Sequence, residues 1–441
     1  MKRTKTFFYS TIIFSFFLTV GQEGYGQGEV LQKTYSWNAD VNNDVNFTFS
    51  NYDCDLVIHT WDRPAIEYKM TVDATLKSKE DAARLDAYIE GLELTHSAGN
   101  AEFVNRFWQS RKTMMGRKTM SLKGERDIRY SKFNMKGELW IPATANLNLE
   151  SKYSGIELED LLGRLDLNLY NDKLFGGDVS GNVSISAKYS SLELDELKDV
   201  KADLYSVNLE AENIGNLNAS SKYSKFRVDN AGKIEINAYN DKYVFRNTGD
   251  IKFVDKYSDL TAQICGYIDM ECYNSTITLT SIEDLKLKSK YTQFEIDGAR
   301  NVHISESYND NFKISSLATL NITASKYGTY KIDHLSSSFI MTEGYSDKCI
   351  ILKTGSEFKG MKVNGKYNNI EMGLPADLDY RFKANLQYPD LDINEEAMNV
   401  RIKIQQSSNL EMDALKGTEK EGMPEFEING YNMSLTFTEI H

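Results

Sequence analysis

The chain has 441 residues, 41% of them hydrophobic and 26% charged, with 64 acidic against 51 basic side chains and a formal net charge of −13. So acidic a balance argues against nucleic acid as a partner, because Lys and Arg on phosphates supply most of that affinity. The length would hold two or three ordinary domains, but a repeat array can use it as one body.

Lys2, Arg3 and Lys5 precede an apolar run from Phe7 to Val20, the charged and hydrophobic parts of a secretory signal. The run is too short to span a bilayer. Gly24 and Gly26 offer a small-x-small cleavage site, so residues 1–26 are predicted as a signal peptide and the mature chain as starting near Gln27. Removal takes away three basic residues and Glu23 and leaves a net charge of −15. No later apolar run is long enough to cross a membrane, so the mature chain is expected to be exported without a transmembrane segment. Its expected location is the periplasm, the outer-membrane surface or the extracellular space.

Residues 27–138 read as an N-terminal cap region. Asn51-Tyr52-Asp53 with Leu56 and Ile58 forms a first strand–corner–strand unit, and Ala65 to Val72 continues as a strand. Ser78 with Asp81 is placed to cap a helix whose apolar positions are Ala82, Leu85, Ile89 and Leu92. Ten basic and two acidic residues then lie between Arg106 and Lys136, including Arg111, Lys112, Arg117 and Lys118, with Met114, Met115 and Met120 interleaved. The plain expectation is a solvated, mobile loop. The functional alternative is a docking segment for anionic lipid, anionic polysaccharide or the protein's own acidic body.

From residue 139 to 393 one unit repeats, at 17-residue spacing over six successive intervals. The position after each anchor alternates as Lys152, Tyr170, Lys188, Tyr205, Lys222, Tyr239, Lys256, Tyr273, Lys290, Tyr308, Lys326, Tyr345. Five residues past the anchor the chain is always apolar or aromatic, as at Ile156, Leu209, Phe226, Tyr243, Phe294 and Phe312. Before the anchor, Leu165, Leu167, Leu169 and again Ile234, Ile236, Ala238 alternate with polar residues, the period of a strand with one buried face. Columns in register require stacked coils, so the fold class is all-β, a parallel β-helix (β-solenoid) of about 17-residue coils, expected to be right-handed. Each coil reads as a strand, a corner, a shorter strand and a return turn. Fourteen coils at about 4.8 Å would give a rod of roughly 65 Å.

The Lys/Tyr column has outward phase, so Lys188, Tyr205, Lys222, Tyr239, Lys256, Tyr273, Lys290 and Tyr308 form the candidate ligand face. Lysines and tyrosines alternating there are expected to make cation–π contacts. Residues 394–441 read as a polar insertion followed by a C-terminal capping coil at Gly430-Tyr431-Asn432 with Leu435 and Phe437.

No pair among His59, His96, His303, His334 and His441 has metal-ligand spacing, and Cys54, Cys265, Cys272 and Cys349 show no paired spacing either. Free buried thiols are expected, and no catalytic, cofactor or metal residue is assigned. Asp172, Asp241, Asp310 and Asp347 recur at a corner, which points to a turn preference and away from a single acid/base pair.

Phe47-Thr48-Phe49-Ser50-Asn51-Tyr52, Val57-Ile58-His59-Thr60-Trp61-Asp62-Arg63-Pro64, and Leu139-Trp140-Ile141-Pro142 leading into Leu147-Asn148-Leu149-Glu150-Ser151-Lys152-Tyr153 follow one another in an order that resembles the bacterial putative-adhesin family of β-strand-repeat envelope proteins. The resemblance covers nearly all of the mature chain and implies an exported β-solenoid with no recognised catalytic residues. This chain departs from the commoner pattern in its corners, which use Lys-Tyr-Ser and Tyr-Asn-Asp in place of glycine. The expected function is surface recognition or adhesion without catalysis, toward a glycan or another envelope component. The alternatives are a polysaccharide lyase or hydrolase, and a structural envelope spacer.

Overall fold

In the computed structural model, which describes residues 28–440, the repeats stack as one mostly parallel β-solenoid. The predicted signal peptide lies outside the described residues. About 13 turns follow one another with a spacing near 18 residues. Where the spacing is 17, Val183 pairs with Val200, Val200 with Leu217, and Leu217 with Ile234, each in parallel register. Longer repeats are absorbed by local slips of register: Leu287 faces Ile304 but Lys288 faces Glu306, so Ser305 is the added residue.

Each coil has three inward runs, one more than the sequence pattern suggested. In the segment Ser191–Tyr205 the buried positions are Leu192 and Leu194, then Leu197, then Val200, Ala202 and Leu204. Two steps of three residues turn the inward phase without leaving the strand ladder. The stretch expected to be a return turn therefore carries a third core column, containing Val179, Leu197, Ile214, Cys265, Ile282, Leu317 and Leu335. Beside that column Gly232 lies so close to the coil below that a Cβ would meet the Gly215 carbonyl oxygen at 2.1 Å.

The column five residues past the anchor is inside, as predicted. Ile156, Leu209, Phe226, Tyr243, Phe294 and Phe312 are all buried. Their rings stack between coils, with Phe294 and Phe312 at 4.5 Å and Phe312 and Tyr330 at 4.9 Å. All four cysteines are free and buried.

Both ends are closed by chain that leaves the stack and comes back. At the N-terminal end Asn46–Tyr52 and Asp55–Trp61 form the first coil. Asn100–Val104 covers the first of these strands and the end of Ile128–Pro142 covers the second, in parallel. Ile128–Pro142, Ala65–Leu76 and Glu29–Asp40 then build an antiparallel sheet. The helix Lys79–Glu90 packs on it, with the Ser78 side chain accepting from the Asp81 N–H and with Ala82, Leu85 and Ile89 buried. At the C-terminal end the predicted capping coil is not outermost. Glu425–Tyr431 pairs in parallel with Gly360–Lys366 on one side and with Tyr380–Gln387 on the other. The last coil in sequence is inserted into the stack, and the antiparallel pair Met398–Gln406 and Asn409–Lys416 closes the edge beyond it.

Candidate ligand face and the pocket at its end

The corner that follows each anchor is turned by one residue in the left-handed region, at φ between 54° and 64° from Tyr153 through Asn171, Tyr189, Ser206, Tyr223, Asn240, Tyr257, Asn274, Tyr291, Asn309 and Tyr327 to Ser346. Side chains other than glycine adopt this conformation at a cost of about 1–2 kcal/mol, so each corner must be held by its surroundings. The backbone holds it first. The Tyr189 N–H donates to the Tyr205 carbonyl, and the Asn240 N–H to the Lys256 carbonyl, so the ladder runs through the bend. The next side chain holds it second. In Lys-Tyr-Ser coils the Ser hydroxyl donates to the Lys carbonyl two residues back, as Ser190 does to Lys188 at 2.9 Å. In Tyr-Asn-Asp coils the carboxylate accepts the Tyr N–H two residues back, as Asp172 does from Tyr170 at 2.8 Å, and also the Ser154 N–H of the preceding coil at 2.8 Å.

The corner aspartates thus cap turns, as their recurrence implied. Asp172, Asp241, Asp310 and Asp347 are buried with these donors, and Asp255 is buried three residues earlier in its coil, in the anchor column. Burial outweighs the hydrogen bonds and raises all five carboxyls, Asp172 and Asp255 to about 6.

Outside this corner the expected lysine–tyrosine alternation is replaced by a tyrosine ladder. The tyrosine in the left-handed position of one coil inserts between the tyrosines that precede the left-handed residue in the coils on either side. Fifteen rings run from Tyr153 through Tyr170, Tyr189, Tyr205 and onward to Tyr345, Tyr367, Tyr431 and Tyr388, edge to face at 5.3–5.8 Å. Tyr431 sits between Tyr367 and Tyr388, which follows from the inserted last coil. Tyr205, Tyr239 and Tyr273 lie on the surface about one-third exposed, and Tyr308 is half-buried. Lys188, Lys222 and Lys256 are exposed beside the ladder, and Lys290 pairs with Glu306 at 3.2 Å. Among the described lysines only Lys152 lies over a tyrosine of this column, Tyr52, at 5.6 Å. The signal that the sequence reading missed is that the two tyrosine columns are complementary, one filling the coils the other leaves vacant.

The basic block is a hairpin, not a loop. Trp108–Met114 and Arg117–Leu122 pair antiparallel, and Arg117–Leu122 pairs onward with Ile128–Pro142. Lys112, Arg117 and Lys118 are exposed on it, with Met114 and Met115 at its tip. Arg111 differs. Its guanidinium lies over Trp108, Phe133 and Tyr130 and forms an ion pair with Asp53 of the first coil, so this arginine docks on the protein's own body.

Where hairpin and ladder meet there is a cavity of about 480 Å³, lined by Tyr52, Asp53, Arg106, Trp108, Arg111, Lys152 and Tyr153. Three cations face one carboxylate there. A second concavity of about 400 Å³ lies on the long side of the rod, and its charges pair internally, Arg164 with Asp166 at 2.8 Å and Lys233 with Glu235 at 2.7 Å. Among the described residues no group of three His, Cys, Asp or Glu is placed to hold a metal ion, and no helix is long and apolar enough to cross a membrane.

These features define a repeat protein whose outer corner is a continuous aromatic edge. No family model matches the chain, and no curated protein matches it. Three solved structures are similar at low identity. One is described as a putative cell adhesion protein from Clostridium sporogenes, 8% identical over 93% of this chain and 100% of its own, with a TM-score of 0.17. A second is a putative lipid binding protein from Parabacteroides distasonis, 14% identical over 64% of this chain and 96% of its own, with a TM-score of 0.25. A third is a putative adhesin from Parabacteroides merdae, 13% identical over 66% of this chain and 97% of its own, with a TM-score of 0.24. At these scores the likenesses carry no argument about function.

Proposed function

We propose that this chain is an exported cell-envelope recognition module of the adhesin-like kind, which engages an extended glycan along its tyrosine edge and performs no catalysis. The observation that supports this reading is the unbroken ladder of fifteen partly exposed rings, spaced by the coil step over roughly 65 Å. Aromatic faces and hydroxyls repeated at one spacing suit a polymer of repeated rings, and the lysines beside them add donors. The corner carboxylates speak for the non-catalytic part, since each is already occupied with backbone and serine donors.

The test is a glycan array probed with the mature protein and with the double variant Tyr223→Asn, Tyr257→Asn. Asparagine already occupies the same left-handed position in alternate coils, so the corner survives and only the rings are lost. Polymer binding that drops at least tenfold in the variant supports the reading. Binding that is unchanged, or release of reducing or unsaturated sugar ends by the wild type, overturns it.

One observation favours a structural spacer as a second reading. Each ring packs its edge against the next, so the ladder also braces the coils against one another. A variant that loses stability while the wild type binds no glycan decides for the spacer.

A further inference from the structure

The tyrosine ladder begins at Tyr153 and not one coil earlier, although Tyr52 occupies the matching position. Instead of a neighbouring tyrosine, the Tyr52 ring takes Arg106 at 5.0 Å and Lys152 at 5.6 Å. Arg106, just before the hairpin, and Trp108 and Arg111 on its first strand line one side of the cavity of about 480 Å³ beside the first coil. Its electrostatics run against the rest of the molecule. The chain as a whole is at −13, yet Arg106, Arg111 and Lys152 here meet a single carboxylate, Asp53, which Arg111 already engages. Lys152 has no carboxylate within ion-pairing distance among the described residues.

The two arginines are held before any ligand arrives, while the Lys152 ammonium is exposed and, among the described residues, touches only the Tyr52 ring. Arg111 lies over three aromatic rings and is paired with Asp53, and Arg106 donates from Nε to the Trp108 carbonyl at 3.2 Å and from its terminal nitrogen to the Gln109 carbonyl at 3.1 Å. The arginines therefore have little side-chain freedom left to lose on binding, which is what preorganisation contributes to affinity. The lining also includes Tyr153, 55% exposed and the most open ring of the ladder. Cations and an open aromatic ring lining one cavity match a sugar ring that carries an anionic group. A bare inorganic anion would use the charges and leave Tyr153 idle, whereas a neutral sugar would use Tyr153 and leave an unmatched positive charge.

We infer that the cavity between the first coil and the basic hairpin is a binding site for an acidic sugar, with the carboxylate held by Lys152 and Arg106 and the pyranose ring packed on Tyr153. The site concerns a short ligand and stands independently of polymer binding along the ladder. A glycan that enters here would have its acidic residue fixed at the N-terminal end of the tyrosine edge.

The experiment is calorimetric titration of the mature protein with trigalacturonate, cellotriose and inorganic phosphate, each at low and physiological salt. Trigalacturonate is expected to bind, with affinity falling severalfold as salt rises, and the two controls are expected to bind at least tenfold more weakly. Lys152→Glu and Tyr153→Asn are each expected to reduce trigalacturonate binding at least tenfold. Both side chains are exposed, and asparagine keeps the left-handed corner, so folding checked by circular dichroism should be retained. The double variant Tyr223→Asn, Tyr257→Asn should bind trigalacturonate as the wild type does, which separates this site from the ladder. Failure of trigalacturonate to bind overturns the inference, as does equal binding of cellotriose or phosphate. Retention of binding in either pocket variant overturns it too.

Discussion

Asp255 is the one charged residue in an anchor column otherwise filled by Ser, Ala, Leu, Cys and Gly, and replacing it with serine should stabilise the protein at neutral pH. Its side chain is 3% exposed. One carboxylate oxygen accepts from the Ser275 hydroxyl at 2.5 Å and the Ser258 N–H at 3.2 Å, while the other meets no N–H or O–H donor, and the Cys272 thiol adds only a weak interaction. No cation offsets the charge, so burial pushes the carboxyl from 3.8 up to about 6. Two pH units at 1.36 kcal/mol each give about 3 kcal/mol by which ionisation at neutral pH weakens the fold relative to the protonated form. The sign follows from proton uptake. Between pH 6 and 3.8 the folded chain binds the proton and the unfolded chain does not, so stability rises as pH falls through this window. The lowered acids, Asp284 held down first by the Asn301 amide and then by Arg300, and Glu306, Asp413 and Glu419 by basic partners, lose their contribution as pH falls from the ordinary carboxylate value toward their lowered one and do not mask the effect at pH 5. Asp255→Ser removes the charge and forfeits about 1 kcal/mol of hydrogen bonding, for a net gain of about 1–2 kcal/mol at pH 7.5. Urea denaturation followed by circular dichroism at pH 7.5 and 5.0 checks both parts. The wild type should be more stable at pH 5.0, and the variant should gain less from acidification. A variant that unfolds at lower urea than the wild type at pH 7.5 would refute the account of a buried, uncompensated carboxylate.

Phe312→Ala should cost about 3–5 kcal/mol by urea midpoint, since the ring is fully buried between Phe294 and Tyr330. Tyr223→Val should destabilise by about 1–2 kcal/mol more than Tyr223→Asn, because both lose the ring contacts but only the β-branched residue resists φ of 57°. Equal losses in thermal melts would mean that the corner is not strained. Arg111→Ala should lower the melting temperature through loss of its ring contacts and of the Asp53 pair, whereas the triple change of Lys112, Arg117 and Lys118 to Ser should leave it nearly unchanged.

The fold was legible because stacking writes the same requirement into every coil. An inward position such as Leu209, Phe226 or Tyr243 must be apolar each time, so period and phase can be read without knowing the corners. The helix with Ser78 at its start was legible for a local reason, since its cap and apolar stripe lie within one short segment. The third core column escaped because it holds one inward residue per coil, and a single apolar position has no period of its own. Thr248, Ala231 and Ala299 in that column also blur its hydrophobic character. The tyrosine ladder was half legible. Outward phase placed the rings on the surface, but whether they would meet lysine or each other depends on the left-handed residue, which swings the second tyrosine column into line with the first.

The ends were the least legible part, and the reason is physical. In a solenoid the units are nearly interchangeable, so a coil's sequence fits almost any slot in the stack. Gly430-Tyr431-Asn432 carries the corner pattern that would serve equally at the edge or inside, and only long-range pairing decides that it lies between Gly360–Lys366 and Tyr380–Gln387. The same holds at the other end, where about a hundred residues separate Asn46–Tyr52 from Asn146–Lys152, its neighbour in space. What the units share specifies the rod, and what breaks the repeat decides where the rod stops. The basic hairpin is such a break, and the one cavity described with an excess of cations forms against it, where the regular ladder of rings gives way.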